Sequence, residues 1–250
     1  MYQQERLDAI MRILNENNYV TVDYLVSEIR YSPASIRRDL TLLEKQGLVV
    51  RSYGGVSLNN ANTSPFRFRQ HSMKLAKNAM ARKAAELVRE NDVVYIAGTS
   101  TTQYIGHYLT DKKGITVITS NMLLAGFLSE RGVTTFCTGG KVVDQPGILG
   151  GQFVLDTIRK FNIDIAFVSS LGFHLDGKIL SVNEQGQQKF AAYRECAEKL
   201  VYLCGSDKFD TAGKFVCGTL DEIDYFISDK DVPEALKERY SSTVFISAEQ

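Results

Sequence analysis

The chain has 250 residues, 44% hydrophobic and 23% charged, and its 29 basic and 29 acidic side chains leave no formal net charge at pH 7. That length admits one large domain or two modest ones, and the composition excludes the intrinsically disordered class. No apolar run reaches the length of a membrane span, and the first residues form a polar amphipathic segment and not a signal peptide, so the chain is expected to stay in the cytoplasm, away from membranes.

The first predicted element is an amphipathic helix carrying Leu7, Ile10, Met11 and Leu14. Thr21 is placed to cap a second helix, whose buried side is Val22, Leu25 and Ile29, and Arg30-Tyr31 make a short turn into a third. Ser32 caps that helix, Pro33 fits its first position, and Gly47 closes it. Ile36, Leu40 and Leu43 recur at the spacing of one buried face; Ala34, Arg38 and Thr41 lie opposite, with Arg37 on the flank. Arginine offers forked donors to guanine edges and phosphate oxygens, so this helix suits the major groove of DNA. Leu48-Val49-Val50-Arg51 and Val56-Ser57-Leu58 flank Ser52-Tyr53-Gly54-Gly55, which reads as a hairpin. Two helices, a tight turn, a recognition helix and a hairpin make a winged helix-turn-helix. The candidate contacts to double-stranded DNA are Ser32, Ala34, Ser35, Arg37, Arg38 and Thr41 on the helix and Arg51, Tyr53 and Gly54 on the wing. The acids and bases balance through residue 60, so this domain is not uniformly basic.

This segment resembles the DeoR family of bacterial transcription regulators. The resemblance rests on Ser35-Ile36-Arg37-Arg38-Asp39-Leu40, Leu43-Glu44-Lys45-Gln46-Gly47-Leu48 and Arg51-Ser52-Tyr53-Gly54-Gly55, with serine at 35 and tyrosine at 53 where the family usually has threonine and histidine.

Asn59-Asn60-Ala61-Asn62-Thr63-Ser64-Pro65 is polar and breaks any helical pattern, which divides the chain into a DNA-binding domain (1–58), a linker (59–72) and an α/β domain (73–250). Arg67, Arg69, Lys74, Lys77, Arg82 and Lys83 follow with no acid before Glu86; this basic connector either lies near phosphate or serves only as a soluble linker and helix start. A helix is predicted from about residue 72 through Leu87. Apolar strands at 92–97, 115–119, 133–137, 163–168, 200–204, 225–228 and 244–247 then alternate with helices at 103–109, 122–129, 152–161 and 184–199. That alternation predicts a mostly parallel sheet covered by helices on both faces.

In such sheets ligands bind at the carboxyl ends of strands. The loops there are Gly98-Thr99-Ser100-Thr101-Thr102, Ser120-Asn121, Thr138-Gly139-Gly140-Lys141, Gly150-Gly151 and Ser206-Asp207-Lys208. Glycine, hydroxyl groups and a lysine gathered in one crevice suit an anionic small molecule, with phosphate the usual group. Cys137, Cys196, Cys204 and Cys217, like His71, His107 and His174, are scattered without metal or redox spacing, so no metal or cofactor is expected and the thiols are read as buried and reduced.

This half resembles the effector domain of the same family, which looks like the fold of ribose-5-phosphate isomerases and glucosamine-phosphate deaminases. The matching positions include Gly98-Thr99-Ser100-Thr101, Thr119-Ser120-Asn121, Gly139-Gly140, Asp164 to Phe167, Glu184, Lys189 and Ser206 to Phe209. The resemblance implies a regulator, a repressor or an activator, whose DNA affinity changes when a phosphorylated sugar binds, with Glu184 and Lys189 added to the effector-binding set. Ile96 and Gly205 stand where family members commonly have aspartates, which points to a less hydroxyl-demanding effector or a degenerate pocket. An enzyme of the isomerase type needs a carboxylate base beside the reacting carbon, and the loop Ser169 to His174 has no acid before Asp176. An α/β domain that only oligomerises is the third alternative. A single winged helix reads few base pairs, so a homodimer or homotetramer is expected.

Overall fold

A computed structural model describes residues 2–17, 19–52, 55–58, 69, 73–144, 147–211 and 213–249. The chain divides into two compact units, Met1–Lys74 and Leu75–Gln250.

In the first unit, α1 (Gln3–Asn17), α2 (Val22–Ile29) and α3 (Pro33–Lys45) surround one core built from Leu7, Ile10, Leu14, Leu25, Ile29, Ile36, Leu40 and Leu43. The predicted caps are in place: Thr21 accepts from the Tyr24 N–H at the start of α2, and Ser32 from the Ser35 N–H at the start of α3. Arg30 turns the chain between them in a left-handed conformation, φ 55°. Gly47, φ 69°, ends α3: its N–H donates to the Glu44 carbonyl and the Leu48 N–H to that of Leu43, both at 2.9 Å. These two bonds satisfy carbonyls that the helix leaves unpaired, and a side chain at 47 would be strained. The hairpin consists of β2 (Val49–Ser52) and β3 (Gly55–Leu58), in register from Val49↔Leu58 to Ser52↔Gly55. Its tip residues Tyr53 and Gly54, like most of the 59–72 linker and Arg67, lie outside the described residues. A strand not anticipated from the sequence, β1 (Tyr19–Thr21), pairs antiparallel with β3 and makes the wing part of a three-stranded sheet. Three residues are too few to show a period of two.

The second unit opens with α4 (Lys74–Glu86) and is organised by a seven-stranded sheet. Its strands are β4 (Val93–Ile96), β5 (Thr116–Thr119), β6 (Thr134–Cys137), β9 (Ile163–Val168), β12 (Ala197–Cys204), β14 (Tyr225–Ser228) and β15 (Val244–Ser247), with β7, β8, β10, β11 and β13 outside it. The order is β15-β14-β12-β9-β4-β5-β6, and every neighbouring pair is parallel. Both faces are covered. Val94, Ile96, Val117, Phe167 and Leu203 pack with Met80 and Ala84 of α4 and Leu124 and Leu128 of α5 (Met122–Ser129). Tyr95, Ile118, Ala166, Leu200 and Tyr202 pack with Val154 and Ile158 of α6 (Gln152–Ile158), Phe190 and Tyr193 of α7 (Glu184–Cys196) and Leu236 of α8 (Glu234–Arg239). Alternate residues of one strand serve two cores, which is why the strands read as continuous apolar runs. At the amino ends, Asp164 accepts from the Val93 N–H at 2.6 Å and Asp224 from the Leu200 N–H at 2.8 Å.

Two predicted helices are corrected. The segment read as a helix over 103–109 is a 3₁₀ helix, Thr102–Tyr108, whose entry is tied down by threonine hydroxyls: Thr102 donates to the Ala97 carbonyl at 2.5 Å and lies 2.7 Å from the Thr99 hydroxyl. The helix expected to reach Lys199 ends at Cys196, because Ala197 and Lys199 pair with Ile163 and Ile165 of β9. Long-range strand pairing overrides the local helical pattern there. Two small sheets were not anticipated: the hairpin of β7 (Lys141–Asp144) and β8 (Ile148–Gly150), and the antiparallel set β10 (Gly172–Phe173), β11 (Lys178–Ser181) and β13 (Phe215–Thr219).

The expectation of uniformly buried thiols holds for Cys204 and fails for Cys137, which is exposed on β6. Burial pushes the Cys204 thiol up to about 12 and the Cys217 thiol up to about 11, and it also raises Cys196. The reactive species is the thiolate. Maleimide at pH 8 is therefore expected to modify Cys137 first and Cys204 only after denaturation; equal labelling of both in the native chain, read by peptide mass spectrometry, would contradict this packing.

Candidate functional site

The exposed side of α3 is built from its buried side. Ile36, Leu40 and Leu43 are fully buried, which leaves Ala34, Arg37 and Arg38 exposed and Thr41 half-buried. Arg38 stays on its own helix, donating to the Ala34 carbonyl and the Ser35 hydroxyl, both at 3.4 Å. Thr41 donates to the Arg37 carbonyl at 2.9 Å and accepts from Arg51 at 3.1 Å, and the Arg51 N–H donates to Glu44 at 3.3 Å. Arg51 thus sits on the strand beside the exit half of α3 and not at the tip of the wing.

Asp39, on the opposite side of α3, is 1% exposed. It takes a forked pair of bonds from Arg6 of α1, at 2.7 and 3.3 Å, and a third from Gln3 at 3.2 Å; the same guanidinium lies 4.6 Å over the Tyr31 ring. The Asp39 carboxylate holds Arg6 above its ordinary range. This pair fixes α3 on α1, a role the sequence reading gave to apolar residues alone. The only clue in the sequence is an acid within one turn of Ile36 and Leu40 on an apolar face.

In the second unit the sheet grows from β4 in both directions: toward β5 and β6, then back past β4 to β9, β12, β14 and β15. The loops leaving β4 and β9 therefore diverge, and such a switch point is where open parallel sheets bind ligands. The 98–102 loop lies here. Ser100, Thr101 and Thr102 are buried, and Gly98 and Thr99 half-buried. The Gly98 N–H donates to the Ser120 hydroxyl at 3.0 Å, which joins the loops after β4 and β5. Lys208, in the short 3₁₀ turn after β12, donates to Thr101 at 3.1 Å and to Ser169, after β9, at 3.0 Å. One ammonium so gathers three strand ends, and among the described residues it has neutral hydroxyl partners and no ion pair. The turn that carries it is anchored by Asp229, which accepts from the Ser206 N–H at 2.6 Å and the Ser206 hydroxyl at 2.9 Å. Among the described residues the amides of Ser100 and Thr101 make no backbone hydrogen bond.

Lys77 belongs to this crevice. Read in the sequence as part of a basic connector, it is 3% exposed, with its ammonium 3.5 Å from the Ser100 hydroxyl. A lysine on the stripe of Met80, Ala81 and Ala84 is the signal that would have identified it. Ser169 is the other member missing from the expected loops, whereas Ser120 was expected there beside Asn121.

The remaining expected residues are less closely joined. Asn121 caps α5, accepting from the Leu123 and Leu124 N–H groups at 3.0 and 3.1 Å, and its buried amide nitrogen has no hydrogen-bond partner among the described residues. Gly139, Gly140 and Lys141 are exposed and follow β6, two strands from β4, or about 10 Å at the usual strand spacing. Gly140, φ 118°, is required by the turn itself, since a Cβ there would lie 2.7 Å from the Gly150 carbonyl. Glu184 and Lys189 are on α7; among the described residues no hydrogen bond joins either to these loops, and burial pushes the Lys189 ammonium down. Of the two positions where aspartate was noted as usual, Ile96 is fully buried in the core shared with α4 and α5. At Gly205 the Asp207 carboxylate occupies the space of a Cβ, and Asp229 comes within 3.9 Å of it.

Family models match nearly the whole chain: a DeoR-like helix-turn-helix domain over residues 6–62 and a DeoR C terminal sensor domain over residues 72–230. The chain belongs to the DeoR family. It is a DNA-binding transcription regulator with a sensor domain. Its relatives include the transcriptional repressor GlcR of Bacillus subtilis, 28% identical over 92% of this chain and 90% of that one. The glycerol-3-phosphate regulon repressor of Escherichia coli is 25% identical over 93% of each chain, and the L-fucose operon activator of Haemophilus influenzae 27% identical over 93% and 94%. Among solved structures, ribose 5-phosphate isomerase from Plasmodium falciparum is similar over 57% of this chain and 55% of that one, with 15% identity and a TM-score of 0.40. Among the described residues no helix is long and apolar enough to cross a membrane.

For a family member the two sides of α3 are expected to separate in experiment. Leu40→Ala should cost about 2–5 kcal/mol of stability in urea titrations. Arg37→Ala and Arg38→Ala should leave stability within roughly 0.5 kcal/mol and weaken operator binding by about 1–3 kcal/mol each where they contact bases. Unchanged gel-shift affinity in both arginine variants would contradict the assignment of this face to DNA.

Proposed function

We propose that this regulator is a repressor of a metabolic operon, acting in the cytoplasm as a homodimer or homotetramer, and that a phosphorylated small metabolite bound at the 98–102 loop changes its affinity for operator DNA. The observation that carries the reading is Lys208: a half-buried ammonium held by two neutral hydroxyls, beside a loop whose Ser100 and Thr101 amides make no backbone hydrogen bond among the described residues, and a second lysine, Lys77. A phosphate accepts several charge-assisted hydrogen bonds at once and suits such a donor set. Relatives named for the glycerol-3-phosphate regulon and the fucose operon support a phosphorylated or sugar-derived effector, and two of the three relatives are named repressors. Ile96 and Gly205 stand where family members commonly have aspartates, so the effector is expected to present fewer hydroxyl groups than a hexose phosphate. On the DNA side, Ser32, Ser35, Arg37, Arg38 and Thr41 would meet the major groove and the 53–54 tip the flanking phosphates.

Effector and operator binding are coupled only by the effector's differential affinity for the DNA-competent and incompetent states. The coupling should be about 1–3 kcal/mol and reciprocal. Isothermal calorimetry with glycerol phosphate, hexose phosphates and pentose phosphates, with and without operator, tests this. Lys208→Ala is expected to cost the best ligand about 1.5–3 kcal/mol, the usual worth of a hydrogen bond to a charged group. Equal binding by Lys208→Ala and wild type would rule the crevice out, and no binding by any phosphorylated compound would leave the second unit an oligomerisation domain.

A further inference from the structure

Like α4 with Lys77, α7 carries a lysine on its buried stripe. The helix descends from the carboxyl to the amino end of the sheet, since Cys196 leads straight into Ala197, which pairs with Ile163 at the start of β9. Its contacts show which side faces inward. Gly186 lies against Ser181 of β11, Phe190 against Gly218 of β13, and the Tyr193 ring against Tyr95 of β4, with 5.1 Å between centroids. Ala192 is fully buried beside them. At about 3.6 residues per turn, Lys189 falls between Ala192 and Tyr193 around the helix, inside this stripe and one turn nearer the carboxyl end. Tyr95 is three residues, or about 10 Å of strand, below Gly98. One helical turn of about 5.4 Å, and a long side chain leaning toward the helix N-terminus, carry the Lys189 ammonium toward the level of the 98–102 loop. It arrives from the face opposite Lys77: α4 packs on the side of Val94 and Ile96, α7 on the side of Tyr95.

Lys189 is half-buried and makes no hydrogen bond or ion pair among the described residues. The acids of neighbouring segments are turned elsewhere. The Asp207 carboxylate lies over Gly205, Asp229 holds Ser206, and the exposed Glu184 accepts from Gln188 at 3.4 Å. A buried cation is costly unless a counter-charge meets it. Lys77 and Lys208 already serve the 98–102 loop, so an ammonium entering from the other face calls for a second anion. Ile96 and Gly205 put no carboxylate at their positions to repel one. We infer that the effector carries two anionic groups, a phosphate at the 98–102 loop with Lys77 and Lys208, and a carboxylate or second phosphate on Lys189. The inference rests on the effector reading above and narrows the ligand to phosphorylated acids and bisphosphates, as against sugar monophosphates with an uncharged far end.

Calorimetry on the full chain with matched pairs tests it: glycerol 3-phosphate against 3-phosphoglycerate, glucose 6-phosphate against 6-phosphogluconate, and fructose 6-phosphate against fructose 1,6-bisphosphate. In the pair that binds best, the doubly anionic member is expected to bind about 10-fold tighter or more, the low end of what a hydrogen bond to a charged group contributes. A preference in the first two pairs identifies the second group as a carboxylate, and a preference in the third as a phosphate. Lys189→Met, which keeps the apolar stem, should bring the two members of that pair to equal affinity, and Lys189→Arg should keep them apart. Lys208→Ala should weaken both members alike. Equal affinity within every pair in the wild type would overturn the inference and leave the phosphorylated-effector reading standing; this comparison needs no variant and holds even if Lys189→Met misfolds. A preference that survives Lys189→Met, or a loss shared equally by both members, would likewise overturn it, the latter because a purely structural lysine acts that way. No binding by any phosphorylated compound would overturn both readings.

Discussion

A parallel sheet that starts in its middle constrains everything else in the second unit. β4 is laid down first, β5 and β6 extend it on one side, and β9, β12, β14 and β15 on the other. The connections leaving β4 and β9 go separate ways, and the sheet keeps an opening at their carboxyl ends. The helices cannot fill it, because each is committed to an apolar face: α4 and α5 to the side of Val94 and Ile96, α6 and α7 to the side of Tyr95. What spans the opening is polar. Lys208 reaches Thr101 and Ser169, Ser120 accepts from Gly98, and Lys77 approaches Ser100 from α4. The folding rule that gives the sheet its stability thus also assembles a cationic, hydroxyl-lined crevice from residues far apart in sequence.

The first unit solves a different problem, that of presenting arginines from a chain with no net charge. Asp39 is spent on Arg6 inside the fold, and Glu44 engages Arg51. Counting acids and bases through residue 60 therefore understates how positive the exposed face of α3 is, since the acid on that helix closest to its arginines points inward. Buried acid–base pairs add little net stability when both charges must be desolvated, yet removing one partner leaves the other uncompensated. The Asp39–Arg6 pair fits that description: it orients α3 on α1, and the hydrophobic seam of Ile36, Leu40 and Leu43 supplies the burial.

The sequence was most legible where one rule acted alone. All seven strands of the main sheet stand out as short apolar runs, β4, β5, β9, β12 and β14 because they are largely buried on both faces, and α2 and α3 stand out because Thr21, Ser32, Pro33 and Gly47 punctuate them. Legibility failed where pairing partners are distant or elements are short. β1 and β10 have three and two residues, the β7–β8 hairpin was read as a ligand loop, and the helical pattern over 184–199 gave way to β12 where strand pairing with β9 was available. In the crevice, Thr101 and Lys208 were legible from their place at strand ends. Lys77 was not, because a lysine in a basic run looks solvated until its position on the buried stripe of α4 is noticed.

The account centres on the claim that an anion occupies the opening between the β4 and β9 loops and is met by Lys208. Amide hydrogen exchange, followed by mass spectrometry with and without a saturating concentration of the tightest phosphorylated ligand found, tests this most directly. Slower exchange is expected in peptides covering residues 98–103 and 206–209, with little change across 244–247 on the edge strand β15. Protection confined to other segments, with 98–103 and 206–209 unchanged, would contradict it.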